Sequence, residues 1–289
     1  MSLIVAVISP GAMGSGVAAR LTERGVEVRT LLAGRSAASI ARAEQAGMRD
    51  ATERQIADAD IVLSIVSPEH ALALAERLRP ALAAATRKPV YADCNAVNPA
   101  TVDRIAAVIE GAGCAFVDGG IIGPPPRPGA PATRIYLSGR EAERVAVLGR
   151  YGLNMPVLPG PVGLASALKM SYAGITKGFT ALGAAMMLAA TRGGTADLLK
   201  HELAASQPEL FAWLARQVPN MYTKAHRWVP EMQEIAGFVG EQTAARQLFE
   251  AAAAFYGEIA VDHAGPQSAT AALSGFCAGE PARHSASLC

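Results

Sequence analysis

Charge is scarce in this 289-residue chain and nearly balanced: 26 Lys and Arg stand against 25 Asp and Glu, for a formal net charge of +1. A protein built to grip duplex nucleic acid usually carries a basic footprint, so that class of partner is set aside. Cysteine is scarce too. Four thiols (Cys94, Cys114, Cys277 and Cys289) show neither paired metal-ligand spacing nor the density of a disulfide framework, which fits reduced thiols in a cytoplasm. His70 and His226 are isolated, with no second ligand at a chelating interval, so no metal site is expected. The first apolar run begins at Leu3 with no basic stretch before it, so no secretory signal is read. Alanine-rich stretches such as Thr180 to Ala190 are too short, and too closely flanked by Lys177 and Arg192, to read as bilayer spans. These absences point to a cytoplasmic protein with neither a nucleic-acid nor a membrane partner.

Apolar residues, by contrast, make up 51% of the chain, enough to build a substantial core in one or two domains. Up to about residue 160, short apolar runs alternate with helix-compatible segments, the pattern of a parallel sheet covered on both faces. The expected strands are Leu3–Ile8, Glu27–Leu32, Ile61–Val66, Val90–Asp93, Ala115–Val117, Ile135–Leu137 and Pro156–Leu158. Helices are expected at Pro68–Ala84 and at Pro99–Glu110, the second behind Asn98, a good N-cap, with Pro99 at the first helical position. From about Val162 the strand signals stop. Leu164 to Arg192 reads as one long helix whose small residues, Gly174, Gly178 and Gly183 among them, line a packed face. Further helices follow around Ala196–Ala205, Pro208–Gln217, Ala225–Val239 and Gln242–Val261. The expected fold class is therefore α/β: a Rossmann-type doubly wound sheet in residues 1–160, then an all-α domain for substrate binding and dimerisation in residues 161–265. Residues 266–289 read as a loosely ordered tail.

The apolar run at Leu3–Ile8 leads into Ser9-Pro10-Gly11-Ala12-Met13-Gly14 and then a helix-like segment. This resembles a dinucleotide-binding turn, with Ser9 where the first glycine of G-x-G-x-x-G would stand. Such a turn brings backbone N–H groups and a helix N-terminus to a pyrophosphate. An NAD-selective fold places a carboxylate about 20 residues further on, to read the ribose 2′-hydroxyl. Here the second strand ends instead in Gly34-Arg35-Ser36. An arginine and a hydroxyl suit a 2′-phosphate, so NADP is the expected cofactor.

Four stretches together resemble the β-hydroxyacid dehydrogenase family, which includes 3-hydroxyisobutyrate dehydrogenases and, more distantly, 6-phosphogluconate dehydrogenases and imine reductases. Ser9 to Gly14 resembles its G-x-G-x-M-G opening. Asp93-Cys94-Asn95-Ala96-Val97-Asn98-Pro99 resembles its D-x-S-T-x-x-P segment, with Asn95 in the serine position. Asp118-Gly119-Gly120-Ile121-Ile122-Gly123 resembles the D-A-P-V-S-G substrate stretch, with Ile122 for the serine. Gly163-Leu164-Ala165-Ser166-Ala167-Leu168-Lys169 resembles the G-x-G-x-x-x-K catalytic stretch, with Ala165 for the second glycine. The helical half, around Arg227-Trp228-Val229-Pro230-Glu231-Met232, resembles a less characterised branch with a different C-terminal domain.

The resemblance implies an NADP-dependent oxidoreductase that moves a hydride between the cofactor and a hydroxyl or keto carbon, with Lys169 as general acid/base. It implies cofactor contacts from Ser9 through Gly14, from Val66 and Ser67 after the fourth strand, and from Asn95. Substrate, expected to carry a carboxylate, would meet Asn95 and the stretch Gly120, Ile121, Ile122 and Gly123. Where the family has an Asn three or four residues beyond the lysine, this chain has Tyr172 and Ala173, so Tyr172 is the substitute hydroxyl and Lys177 a second cation for an anionic substrate. A homodimer with intertwined helical domains is also implied. Two alternatives stay open: C=N reduction on the same scaffold, and a non-catalytic NADP-binding regulator.

Overall fold

The computed structural model of the chain describes residues 3–127 and 133–278. The chain divides into two compact units, Met1–Ser171 and Tyr172–Cys289.

The first unit is built on one seven-stranded sheet of order β3-β2-β1-β4-β5-β6-β7. The strands are β1 (Ile4–Ile8), β2 (Glu27–Thr30), β3 (Arg49–Asp50), β4 (Ile61–Ser64), β5 (Val90–Asp93), β6 (Ala115–Ile122) and β7 (Arg134–Ser138). All neighbours are parallel except β6 and β7. The chain starts inside the sheet at β1, winds outward through β2 and β3, and returns to the other side of β1 at β4. The crevice beyond the strand C-termini at that reversal is where open α/β sheets take their ligands. Covering the sheet are α1 (Ala12–Thr22), α2 (Ala37–Gln45), α3 (Glu53–Ala57), α4 (Pro68–Ala84), α5 (Pro99–Glu110) and α6 (Ala142–Ala146). Every residue of β4 and β5 is buried, as expected of parallel strands covered on both faces. One apolar layer gathers Val17, Leu21, Leu63, Leu137 and Leu148, and the other Ile56, Leu78, Leu82, Ile105 and Phe116. Asn98 caps α5 as its sequence context suggests, its Oδ1 accepting from Thr101 N at 3.0 Å.

Three strand expectations need correction. β3 went unread, because two exposed polar residues carry no periodic signal. β6 does not stop at Val117 but continues to Ile122, pairing antiparallel with β7. Pro156–Leu158 forms no strand, only an isolated bridge between Val157 and Leu137.

The long helix α7 (Leu164–Arg192) begins in the first unit and ends in the second. It is followed by α8 (Ala196–Ser206), α9 (Pro208–Met221), α10 (Ala225–Phe238), α11 (Ala244–Ala264) and α12 (Ser268–Cys277). Within the second unit α7 has two contrasting faces. Its glycines admit close neighbours: a Cβ at Gly174 would lie 3.3 Å from the Phe249 ring, and one at Gly183 would lie 2.5 Å from Leu214 Cδ2. Elsewhere Tyr172, Ile175, Phe179, Leu182 and Met186 are exposed, repeating at intervals of three and four residues. By length and composition α7 could cross a membrane, yet it also carries Lys169 and Lys177 and packs against its own unit. The expectation of a loose tail is corrected by α12. Asp262, near the end of α11, accepts from the Ala269 and Thr270 amides at 3.0 and 2.8 Å and from the Ser268 and Thr270 hydroxyls, which fixes the first turn of α12. Residues 279–289, Cys289 among them, lie outside the described residues.

Candidate active site

The turn from β1 into α1 sits at the C-terminal end of an inner strand of the sheet, beside the topological reversal. Gly11 is the N-cap of α1, and among the described residues no side chain caps the helix's first amides. Those N–H groups, together with the positive end of the helix dipole, form an anion-binding end. Gly14 is required: a Cβ there would fall onto the Ser9 carbonyl oxygen, far inside van der Waals contact. Pro126, beyond the end of β6, lies against the same helix, its carbonyl oxygen 3.0 Å from where a Gly16 Cβ would stand.

Beside this turn, the ends of β4 and β5 and the middle of β6 carry a buried polar network. Asp93 and Asp118 face each other across the parallel pair β5–β6, and both are wholly buried. Asp118 is fully served. Its Oδ2 accepts from Ser138 Oγ at 2.9 Å and from the Gly163 and Ser166 amides at 3.0 Å each, while its Oδ1 accepts from Ser166 Oγ at 2.6 Å. Ser138 Oγ in turn accepts from the Ala165 amide at 3.0 Å. The opening amides of α7 are thus satisfied by side chains of β6 and β7, with a carboxylate at the end of the helix that favours negative charge. Asp93 is less fully served: Oδ1 receives an Asn95 side-chain N–H, and among the described residues Oδ2 has no partner. Burial, and then the charge of Asp118, push its carboxyl up to about 7.

The anchored start of α7 presses directly on β6. A Cβ at Gly120 would lie 2.5 Å from the Ala165 carbonyl oxygen and 3.2 Å from Lys169 Cβ, so only glycine permits the contact. Lys169 and the Gly120–Gly123 stretch, singled out separately in the sequence, therefore adjoin. Lys169 is partly exposed and, among the described residues, has no ion-pair partner.

Asn95 requires a correction. Expected to offer an amide donor to substrate, it is 2% exposed, and its Nδ2 donates to Ser64 Oγ at 2.8 Å and to Asp93. Its Oδ1 accepts from the Val66 amide at 2.6 Å. Both N–H groups are spent inside the protein, so Asn95 positions the Val66–Ser67 segment rather than reaching a ligand. Lys177 is also committed. In the second unit it pairs with Glu231 and lies 4.9 Å over the Trp228 ring, which meets Tyr256 edge-on at 5.1 Å. A free cation for an anionic substrate is not what the structure offers there. Tyr172, 49% exposed, belongs to the exposed apolar face of α7. Cys94 packs under Gly119, and burial followed by the charges of Asp93 and Asp118 pushes its thiol well above the usual range, a filler rather than a nucleophile. The sequence reading did not single out Asp118 and Ser138 as anchors; the Asp that opens the Asp118–Gly123 stretch was the available signal.

Known proteins match this architecture. Residues 4–147 match the NAD binding domain of 6-phosphogluconate dehydrogenase, and residues 190–259 match a domain of unknown function, DUF1932. An uncharacterized 28.5 kDa protein of Methanothermus fervidus is 29% identical over 217 residues, covering 74% of this chain and 82% of that protein. A solved structure of a conserved protein of unknown function, described as structurally similar to 3-hydroxyacid dehydrogenases, is 30% identical, covers 90% of this chain and 99% of its own, and gives a TM-score of 0.68. The chain belongs to the β-hydroxyacid dehydrogenase-like family. The fold is also that of Mycobacterium tuberculosis 3-hydroxyisobutyrate dehydrogenase, solved with L-serine, at 18% identity, a TM-score of 0.69, and coverage of 96% of this chain and 100% of that one. The family unites NAD(P)-binding 3-hydroxyacid dehydrogenases with related imine reductases, and this member carries its cofactor domain ahead of a helical C-terminal one.

Proposed function

We propose that this chain is an NADP-dependent dehydrogenase or reductase that interconverts a hydroxy acid, or a related alcohol, with its carbonyl form. The residues fit the cofactor. The β1–α1 turn has open amides and a glycine where a side chain would collide with backbone, and β2 ends in Arg35 and Ser36 without a carboxylate. Ser9 through Gly14 would hold the pyrophosphate, Arg35 and Ser36 the 2′-phosphate, and Val66 and Ser67 the neighbouring ribose. NADP, when bound, supplies or accepts the hydride. Lys169 hydrogen-bonds the substrate oxygen and gives or takes its proton. Backbone N–H groups of Gly120–Gly123 orient a substrate that carries a carboxylate, and Ile122 in place of a hydroxyl residue favours a bulkier or less polar one.

The observation that carries this reading is the contact of Lys169 with Gly120, held by the Asp118 anchor, with no carboxylate among the described residues claiming the ammonium. The test is NADPH oxidation against keto acids, aldehydes and cyclic imines. Turnover of carbonyl substrates is expected, with kcat falling roughly 10²- to 10⁴-fold in Lys169→Ala while NADPH still binds. Turnover of imines alone would move the reading to C=N reduction, and cofactor binding without any turnover would leave a regulator.

The same reading makes the protein a cytoplasmic homodimer. The stripe from Tyr172 to Met186 repeats every seven residues, a spacing with which a helix pairs with its own copy about a two-fold axis. Large apolar side chains in a continuous exposed row mark an interaction face. Light scattering behind size exclusion should give twice the mass of one chain, and Phe179→Asp should shift it towards the monomer; a wild-type monomer would overturn the dimer.

A further inference from the structure

The corner beyond β2 holds a second arginine that the sequence reading passed over. Arg42, on α2, donates from Nε to the Pro10 carbonyl oxygen at 3.0 Å and from Nη2 to Ser39 Oγ at 2.9 Å. Ser39 Oγ also accepts from Ser36 Oγ at 3.1 Å, and Ser36 caps α2. One guanidinium therefore spans from the phosphate turn to the hydroxyls beside Arg35. Two of its five N–H groups are used in these bonds, which leaves three for a ligand. Seven other arginines (20, 29, 49, 77, 87, 144 and 246) pair with carboxylates, but among the described residues neither Arg35 nor Arg42 does. The nearby carboxylate, Asp50 at the end of β3, has its Oδ1 tied to the Leu32 and Ala51 amides at 3.0 and 2.9 Å.

We propose that Arg42 is a specificity-determining residue for the 2′-phosphate of NADP: it and Arg35 grip the phosphate from two sides, with the Ser36 and Ser39 hydroxyls between them. The proposal rests on the NADP reading given above. An arginine fork held by a carbonyl at one side and a hydroxyl at the other is already oriented, so little side-chain freedom is lost when an anion binds. The same bond to Pro10 fixes the corner relative to the pyrophosphate turn, setting the interval that a dinucleotide must span.

Calorimetric titration of the full chain with NADPH and with NADH tests this in wild type, Arg42→Ala, Arg42→Lys and Arg35→Ala. Loss of charge-assisted bonds to phosphate should weaken NADPH roughly 10- to 100-fold in Arg42→Ala while NADH changes less than about twofold. Arg42→Lys, which keeps the charge and loses the fork, should fall between. Equal weakening of both cofactors would assign Arg42 to holding the Pro10 turn and overturn the proposal, as would NADPH binding at the wild-type level. A wild-type chain that binds NADH as tightly as NADPH would instead remove the NADP reading itself, and with it the proposal, before any variant is made.

Discussion

Two lysines eight residues apart on α7 show how differently the two units treat buried charge. In the second unit Lys177 and Glu231 neutralise each other with 13% and 15% of their side chains exposed. In the first unit Asp93 and Asp118 are fully buried, and among the described residues neither has a cation. Amides and hydroxyls compensate them instead. The first arrangement consumes a lysine and the second spares one. Asp118 is satisfied by the start of α7, and among the described residues the ammonium of Lys169 on the same helix pairs with no carboxylate, which leaves it free for the role proposed above.

The comparison breaks first at Asp118. Asp118→Ala would orphan the Gly163 and Ser166 amides and the Ser138 hydroxyl, and should cost about 3–5 kcal/mol in urea unfolding, with activity falling in the fraction still folded. Next is the ion pair. Lys177→Met leaves Glu231 buried and should cost about 2–3 kcal/mol, while the double variant Lys177→Met/Glu231→Leu should recover most of it, since an apolar pair of similar volume replaces a costly ionic one. A double variant no better than the single one would mean that the charges themselves hold the second unit together.

The smallest effect is a matter of pH. The Asp93 carboxyl is raised in the folded chain from 3.8 to about 7, so the folded state retains a proton that the unfolded chain has already released between those values. Stability from this group is fully present below about pH 4 and declines as pH rises towards 7. Asp93→Asn removes the titration. The variant should gain on wild type by roughly 1–3 kcal/mol at pH 8, with the difference closing as pH falls to 4. A difference independent of pH in chemical unfolding would show that Asp93 is ionised throughout.

Much of the architecture was legible because it is local. Pro68–Ala84, Pro99–Glu110 and Leu164–Arg192 have the helix boundaries their caps, prolines and apolar spacing suggest. What escaped was set by distant partners. The expected strand stopped at Val117, yet β6 runs on through Gly119 and Gly120 in pairing with β7, and Cys94 and Ala165 approach them too closely for any side chain. α12 is capped by Gln267, in a left-handed conformation, and its first turn is organised by Asp262. Asn95 stood in a ligand's place in the motif, but its environment of Ser64, Asp93 and Val66 is assembled from two strand ends, those of β4 and β5. Arg42 lies in no motif, and its partner Pro10 is 32 residues away.

The anchoring of α7 also fixes how its first turn opens. Helix ends ordinarily fray, and their amides exchange with solvent through small local fluctuations. Here the Gly163, Ala165 and Ser166 amides are bonded to Asp118 and Ser138, on two strands at the far edge of the sheet. They are released only when β6 and β7 separate from the helix, so the start of this helix should exchange deuterium as slowly as the strands beneath it rather than fray as a free end would.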